Sequence, residues 1–386
     1  MTVHFITETA ELKKFCKAMA KEKFITFDTE FLREKTYFPQ LCLVQIGGAK
    51  EAAAIDPLAD DIDLQPLYDL LMNDKVLKVL HAARQDLEIF YQLMGQVPTP
   101  LFDTQVAAQV LGMGDNLGYE ALIRQRLNLQ IDKGQRFTDW SHRPLTESQL
   151  EYAIGDVTHL RGAYESMVKE LTKRKRLTWV ADEMAELTNP SIYFLEPENA
   201  WQRIRFRAKN AEHLGRLKQL AAWREEKAQV EDVPRVRIIR DEVLTELATN
   251  LPKSEEQMKR VRSFPQHLKS DWRSELWKLC EALPALPESE WIEPEKKKRT
   301  SAKTEGRLEM LRLLMKQNTR THDVSASFIA NRETLEDFAA GDYDESHPLM
   351  HGWRYEVFGK DAVELMQGKR AAILDPETGD IRFKEI

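Results

Sequence analysis

Residues 24–30 read Phe24-Ile-Thr-Phe-Asp-Thr-Glu30, an apolar and β-branched run that ends in two acids. This composition predicts a buried β-strand. Side chains at positions i and i+2 of a strand point to the same face, so Asp28 and Glu30 share one face while Ile25 and Phe27 anchor the other. The two like charges repel each other, and a divalent cation bound by carboxylates would offset that repulsion. A solvated strand end would carry the same pair, since acids are usually exposed.

The sequence around this strand predicts an α/β unit. Two further β-like runs follow at residues 41–46 and 52–55, and their short connections favour antiparallel pairing. A helical pattern near residues 64–72 is followed by an apolar strand at 76–80 and a helix at 86–94. Residues 102–184 are mostly helical in periodicity. Together these patterns predict a mixed sheet with helices packed on it.

Two more acids stand at the ends of predicted elements. Asp86 follows the turn His81-Ala-Ala-Arg-Gln, where a strand passes into a helix, although a helix-surface aspartate would look the same. Thr146-Glu-Ser-Gln149 fits a capping box, so a helix begins there and places Tyr152 and Asp156 on one face at i and i+4. A tyrosine hydroxyl, with a pKa near ~10, is neutral and can orient a water, while a metal ion would supply the acidity.

In their order, spacing and placement, these acids resemble the three motifs of the DEDD exonuclease superfamily, in its tyrosine-bearing branch. Neighbouring segments resemble ribonuclease D: Phe27-Asp-Thr-Glu-Phe31, Tyr37-Phe-Pro-Gln-Leu41, Leu43-Val-Gln-Ile46, Asp103-Thr-Gln105 and Thr138-Asp-Trp140. The resemblance is strong over roughly residues 20–165. It implies an RNase-H-like catalytic fold and hydrolysis of phosphodiester bonds with two divalent ions, Mg²⁺ or Mn²⁺.

The resemblance also implies a role for each residue of the site. Asp28, Glu30 and Asp156 would hold the metal that activates water. Asp28, with Asp86 directly or through water, would hold the metal that stabilises the leaving oxygen, and Tyr152 would position the attacking water. The predicted catalytic residues are therefore Asp28, Glu30, Asp86, Tyr152 and Asp156, of which the four acids are the predicted metal ligands.

The remainder of the chain predicts all-α domains. Residues 201–283 have helical periodicity, and they resemble an HRDC domain in the segments Leu220–Ala228, Val233-Pro-Arg235, Ile238–Leu244 and Asn250-Leu-Pro252. Residues 305–370 resemble a second such domain faintly, through Trp353-Arg354 and Phe358-Gly359. The predicted domains are thus 1–190, 201–283 and 305–370. An exposed linker containing Lys296-Lys-Lys-Arg299 separates the last two.

Charge and composition narrow the class of protein. Within the net charge of −7, residues 1–200 contribute −8, residues 201–279 contribute +6 and residues 301–386 contribute −4. That division suits a metal-dependent nuclease with a nucleic-acid-binding module, although ordinary charge scatter is an equal alternative. No run approaches the roughly 18 apolar residues of a membrane span, and the N-terminus has no secretory pattern. The three separated cysteines form no disulfide framework. We therefore expect a cytoplasmic protein that does not bind membranes, with a monomer as the default.

Several residues have two interpretations each. Asp103 could orient a ligand or cap a helix, and His81 could support Asp86 or be structural. The other candidates for RNA contacts could equally be surface or core residues: Lys133, Arg136 and Arg143 for phosphates, and Phe31, Tyr37 and Trp140 for base stacking.

The resemblance implies a 3′→5′ exoribonuclease that releases 5′-mononucleotides. Its substrates would be RNAs with a free 3′ end, namely transfer RNA precursors and small structured RNAs. A DNA 3′→5′ exonuclease is the first alternative, because no residue is identified that reads the 2′-hydroxyl. A non-catalytic RNA-binding scaffold is the second, although all four acids and the tyrosine are present. No phosphate-binding loop of an ATPase occurs, which argues against a helicase.

Overall fold

A computed structural model describes residues 1–132, 134–208, 210–294 and 301–386. Lys133 and the Lys296–Arg299 run lie outside these residues. Six strands form one mixed sheet in the order β1-β4-β3-β2-β5-β6. The strands are β1 (Thr2–Ile6), β2 (Phe24–Leu32), β3 (Gln40–Gly47), β4 (Glu51–Ile55), β5 (Leu77–Leu80) and β6 (Leu101–Asp103).

The pairing of the central strands agrees with the prediction. β3 pairs antiparallel with both β2 and β4, while β1–β4, β2–β5 and β5–β6 are parallel pairs. The sequence patterns did not predict the two edge strands, β1 and β6. β6 has only three residues, and four of the five residues of β1 are exposed or half-buried, so neither produces a recognisable periodicity.

Seven helices surround this sheet in the described part of the first 200 residues. They are α1 (Thr9–Met19), α2 (Gln65–Leu71), α3 (Arg84–Met94), α4 (Thr104–Val110), α5 (Tyr119–Leu127), α6 (Glu147–Lys173) and α7 (Leu177–Leu187). α6 begins as the sequence predicts, with the capping box between Thr146 and Gln149. The mixed sheet with flanking helices, followed by helical units, confirms the predicted fold class.

A close approach between α6 and the sheet sets the position of the helix. The buried Thr26 hydroxyl on β2 lies 2.6 Å from the Val157 carbonyl of α6 and 3.1 Å from the Gly47 carbonyl of β3. A Cβ atom on Gly47 would lie 2.5 Å from the Thr26 hydroxyl oxygen and 3.1 Å from the Val157 oxygen. Only a residue without a side chain therefore permits this contact. Because Thr26 shares a strand face with Asp28 and Glu30, α6 crosses the sheet directly beside the two acids.

Residues 200–283 pack around a second hydrophobic core, separate from the core of the sheet. Leu217, Leu244 and Leu276, from three different helices, are fully buried in it. The helices of this unit are α8 (Ala211–Val230), α9 (Arg235–Ile238), α10 (Asp241–Thr249), α11 (Glu255–Lys259) and α12 (Ser270–Ala282), with 3₁₀ segments at Pro197–Arg203, Leu283–Ala285 and Glu288–Glu290.

The loop between β2 and β3, residues 33–39, joins the sheet to this helical unit. The Tyr37 ring packs against the second core, and its hydroxyl bonds to the fully buried Glu225 carboxylate of α8. Arg235 forms an ion pair with the same carboxylate and lies over the Tyr37 ring, 5.0 Å from its centroid. Asp232 accepts hydrogen bonds from the backbone amides of Tyr37 and Phe38, at 3.0 and 2.9 Å. The strand that carries Asp28 and Glu30 thus continues directly into the helical unit.

The C-terminal unit packs against the sheet-containing unit and shares its hydrophobic core. Trp353 stacks between Trp179 of α7 and Phe328, with ring centroids 5.0 and 4.7 Å away. Its elements are α13 (Ala302–His322), α14 (Ala326–Ile329), α15 (Arg332–Ala340), α16 (Gly352–Arg354), a π-helical turn (Tyr355–Gly359), α17 (Lys360–Met366) and the antiparallel strands β7 (Arg370–Leu374) and β8 (Ile381–Glu385). The sequence patterns did not predict this strand pair. Among the described residues, no helix is long and apolar enough to cross a bilayer.

The contact at Gly47 generates a test of the fold. In Gly47→Ala, the added methyl would lie 2.5 Å from Thr26 and 3.1 Å from Val157, so α6 must shift away from β2. Overpacking of this kind costs about 1–3 kcal/mol, and a shift of about 1 Å at a catalytic group can lower activity roughly 100-fold. Urea denaturation and kcat measure the two effects.

Gly306→Ala is the matched control, since its Cβ in α13 meets nothing within 4 Å. It should stabilise the protein by up to about 1 kcal/mol and leave kcat unchanged. Wild-type stability and activity in Gly47→Ala would contradict the tight contact.

Candidate metal centre

Three carboxylates converge where α6 crosses β2. Asp28 and Glu30 project from β2, and Asp156 projects from α6. One oxygen of each lies within 4.8 Å of the others, and the Asp156 side chain is buried. The strand spacing of two residues and the crossing of α6 at Thr26 together produce this arrangement.

Asp86 lies beside the three acids without belonging to their group of oxygens. It is buried in the first turn of α3, and it accepts a hydrogen bond from the Thr29 hydroxyl. Thr29 follows Asp28 on β2, so the strand contacts the fourth acid directly. The sequence patterns did not identify Thr29, because a threonine in a strand is unremarkable.

The electrostatics of the site favour neutral acids when no cation is bound. Burial, followed by the charge of Asp156, raises the pKa of Asp28 well above its ordinary value. Burial also raises the pKa of Glu30 to about 10, with a further contribution from the charge of Asp28. The pKa of Asp86 is raised by burial and by Asp28, and burial raises that of Asp156 to about 7. The charges of Asp28, Asp86 and Asp156 thus make ionisation of neighbouring acids harder.

A cavity of about 480 Å³ opens onto Asp28, Tyr152 and Asp156. The Tyr152 hydroxyl interacts with the Asp156 carboxylate and lowers the pKa of that acid. Burial is the first cause that raises the pKa of Tyr152 itself, so its hydroxyl remains protonated. Arg136 lines the same cavity, and its positive charge lowers the pKa of Glu30 and that of Tyr152. The cavity thus places the Tyr152 hydroxyl and the Arg136 guanidinium near the acids.

Two further residues hold these elements in place. Asp103 caps α4 by accepting from the Gln105 amide at 2.7 Å. It also accepts from the amides of Ala82 and Ala83, at 3.0 and 2.8 Å, and so fixes the turn that leads into α3 and Asp86. The Tyr119 hydroxyl donates to the Asp156 carbonyl at 2.5 Å. The sequence patterns did not identify Tyr119, because its partner lies 37 positions away.

His81 Nδ1 lies 3.0 Å from the Thr104 hydroxyl, which donates to the Leu80 carbonyl, so His81 has a structural contact. Tyr37 lies in the contact with α8, away from the acids, and Trp140 is buried at 2% exposure. Phe31 is half-buried and packs against the main core. The core interpretation therefore holds for these aromatic residues.

Arg143 is a structural residue and does not face the cavity. Its guanidinium forms two hydrogen bonds to the buried Asp56 carboxylate, at 2.6 and 2.7 Å. It also donates to the carbonyls of Cys42 and Trp140, both at 2.7 Å. The proposed phosphate contact of Arg143 is therefore wrong, because its donors are occupied within the fold.

The donor set fits hard divalent cations. Oxygen ligands suit Mg²⁺ and Mn²⁺, whereas zinc sites favour histidine and cysteine. Among the residues that the structure describes, the group formed by Asp28, Glu30 and Asp156 contains neither histidine nor cysteine. The raised pKa values of these carboxyl groups also favour a bound cation, because its positive charge would compensate the carboxylate charges that burial and repulsion disfavour.

Comparison with known proteins gives two family matches along the chain. The family described as 3′-5′ exonuclease matches residues 3–172, and the HRDC domain family matches residues 213–285. The first match contains β2 to β6, nearly all of β1 and all the acids described above. The second contains most of the helical unit that binds Tyr37.

Full-length relatives match over nearly all of the chain. Ribonuclease D of Zymomonas mobilis is 44% identical over 379 residues, covering 96% of each chain. Ribonuclease D of Sphingobium indicum is 44% identical over 375 residues, again with 96% of each chain covered. The crystal structure of Escherichia coli RNase D, an exoribonuclease involved in structured RNA processing, superposes with a TM-score of 0.82 at 29% identity, covering 95% of this chain and 99% of that one.

The raised carboxyl pKa values generate a test of stability. In EDTA, the folded protein binds more protons at these acids than the unfolded chain does, because their folded pKa values are higher. The free energy of unfolding should therefore fall as pH rises from about 5 to 8, through the range in which the unfolded acids have ionised. Asp28→Asn removes one repelling charge, so this fall should be shallower by up to ~1.4 kcal/mol per pH unit.

Urea denaturation at several pH values measures the slope. Asp60→Asn, in an exposed loop, is the matched control and should retain the wild-type slope. Addition of Mg²⁺ should stabilise the wild type and the control at pH 8, but not Asp28→Asn. A slope in Asp28→Asn equal to that of the wild type would contradict the repulsion inferred for this site.

Proposed function

The chain belongs to the ribonuclease D family, and we propose that Asp28, Glu30, Asp86 and Asp156 are its metal ligands and that Tyr152 completes its catalytic site. Like its relatives, the protein is a 3′→5′ exoribonuclease that hydrolyses phosphodiester bonds at RNA 3′ ends. The observation that carries the assignment of the site is the convergence of three carboxylates within 4.8 Å on one face of the sheet.

In this proposal the bound ions are two divalent cations, Mg²⁺ or Mn²⁺, which would lower the pKa of water and offset charge on the phosphate. Asp28, Glu30 and Asp156 would hold one ion, and Asp28 with Asp86 the other. The protonated Tyr152 hydroxyl would donate toward the attacking water or phosphate and fix its orientation. Arg136, across the same cavity, would attract the phosphate group toward the acids.

We further propose that the substrates include transfer RNA precursors and other small structured RNAs. The Escherichia coli relative, which acts in structured RNA processing, supports this choice. In the proposed division of labour, residues 1–190 perform the chemistry, while the basic segment of the helical unit, residues 201–279, supplies phosphate contacts. A cytoplasmic monomer is the proposed working form, and it would release 5′-mononucleotides.

Hydrolysis should depend on a divalent metal and on the sugar of the substrate. It should stop in excess EDTA and return with Mg²⁺ or Mn²⁺, because four acids repel one another without a cation. With RNA and DNA strands of the same sequence, each labelled at the 5′ end, RNA should be shortened to a ladder faster than DNA.

Each outcome separates the alternatives. Equal or faster shortening of DNA would support the DNA exonuclease, and RNA binding without shortening would support the scaffold. Full activity in metal-free buffer would overturn the proposed ligands. Heat-inactivated protein and Zn²⁺ addition serve as controls for contaminating nucleases and for ion type.

Substitutions should separate the role of the tyrosine from that of the acids. Asp156→Asn should lower kcat to background, since it removes a ligand. Tyr152→Phe should lower kcat by roughly 10- to 100-fold, because orientation contributes less than the ~10²–10⁴ of a full general base. Single-turnover rates at saturating Mg²⁺ measure both.

Tyr164→Phe, on the same helix, is the control and should retain the wild-type kcat, because Tyr164 packs against Phe24 and Phe102 away from the cavity. If Tyr152→Phe were as inactive as Asp156→Asn, the tyrosine would have a role beyond orientation.

A further inference from the structure

A second cavity lies beside the catalytic one, at the contact between the sheet and the helical unit. It has a volume of about 450 Å³, and we call it the junction cleft. It is lined by four further aromatic residues and by Arg33, Arg84, Phe194, Arg203 and Arg235. Such a volume lies in the range of small-ligand pockets and is too small for a double helix. Its contents must therefore be a small molecule or an extended single strand.

The N-terminal end of α3 separates the two cavities. Ala82 lines the catalytic cavity and Arg84 lines the junction cleft, while Asp86 lies two residues further along the helix. Arg33, which also lines the cleft, follows Glu30 by three residues. A strand whose 3′ end lies at the acids therefore reaches the junction cleft within a short distance.

The charge of the cleft is positive and incompletely paired. Its lining contains four arginines and one acid, Glu88. Arg33 pairs with Glu88 through two hydrogen bonds, at 2.8 and 2.6 Å, and Arg235 pairs with Glu225. Arg84 and Arg203 are exposed, and neither has an acidic partner among the residues that the structure describes. These two guanidinium groups are free to bind an anion.

The aromatic residues of the cleft suit nucleobases. Tyr91 and Tyr193 lie with ring centroids 6.2 Å apart, and the Phe194 side chain is 40% exposed. Phe194 belongs to none of the hydrophobic cores in the described part of the chain. An exposed aromatic ring beside unpaired arginines is the combination that proteins use to bind single-stranded nucleic acid without sequence preference.

The cleft also continues away from the catalytic site. A further cavity of about 380 Å³ shares Arg33, Tyr37, Arg203 and Arg235 with it and extends along the helical unit to the exposed Val236. These two cavities thus run together along the helical unit, and the N-terminal end of α3 lies between them and the catalytic cavity. A closed pocket for a free nucleotide would not have this continuation.

We propose that the junction cleft binds the single-stranded RNA immediately 5′ of the scissile phosphate, with Arg84 and Arg203 contacting phosphates and Phe194 stacking on a base. The proposal rests on the exonuclease function stated above. It makes Arg84 and Arg203 positioning residues that act on longer substrates and have no part in the chemistry. Their contribution should therefore depend on RNA length.

The test compares 5′-labelled single-stranded RNAs of about 4 and about 16 nucleotides, the span of site sizes found in small single-strand-binding modules. For the double variant Arg84→Gln/Arg203→Gln, kcat/KM on the long RNA should fall roughly tenfold or more at low salt, mainly through KM. On the short RNA it should stay within about twofold of the wild type. Because the double variant removes two cations that bind phosphates, the slope of log K against log salt for the long RNA should decrease by about 1.4.

Two further variants sharpen the result. Lys13→Gln/Lys14→Gln removes the same charge from exposed positions on α1, the helix that follows the edge strand β1, and should behave as the wild type. Phe194→Ala should raise KM for the long RNA while leaving the salt slope unchanged, because it removes stacking but no charge.

The following results would contradict the proposed RNA-binding role of the junction cleft. An unchanged ratio of long to short kcat/KM in the double variant, or an equal loss on both lengths, would overturn the RNA path. Inhibition by adenosine 5′-monophosphate that the double variant abolishes, with no effect of length, would assign the cleft to a mononucleotide instead and also overturn it. A wild-type protein that degrades neither RNA would refute the exonuclease function itself, which is a different result.

Discussion

The main physical constraint on this structure is that the fold must hold carboxylates close together although they repel one another. Three acids offer oxygens within 4.8 Å of one another, and a fourth lies alongside. These carboxylates do not stabilise the folded protein by themselves, since burial and mutual repulsion both disfavour their ionised form. The surrounding contacts therefore have to force the approach. Thr26 and Gly47 bring α6 onto β2, Tyr119 holds the backbone at Asp156, and Asp103 fixes the turn before Asp86.

Much of this arrangement was predictable because its determinants are local. The alternation of residues 24–30 places Asp28 and Glu30 on one face, and the capping box at Thr146 starts α6 where the sequence predicts. Tyr152 and Asp156 then follow from helical periodicity. The short connections between β2, β3 and β4 also set their antiparallel pairing correctly.

The rest depends on contacts between residues far apart in the chain. Arg143 pairs with Asp56, 87 positions away, and no local pattern distinguishes that partner from a phosphate. The Tyr37 hydroxyl bonds to Glu225, 188 positions away, so the sequence alone does not distinguish a base-stacking role from a core role. The charge of +6 over residues 201–279 is likewise an average, and it does not reveal that Arg224 and Arg235 are paired while Arg203 has no acidic partner in the described part of the chain.

The hydrogen bonds between the helical unit and the loop after β2 have a consequence for how such proteins diversify. Because the side chain of Tyr37 and the amides of Tyr37 and Phe38 are bound by Glu225 and Asp232, part of the surface of the helical unit is encoded within the nuclease segment. A recombination event with its crossover point near residue 195 would separate these partners and leave the buried Glu225 carboxylate with one fewer hydrogen-bond donor. Inheritance of the helical unit is therefore linked to that of residues 33–39, and two segments nearly 190 positions apart are expected to change in concert during evolution.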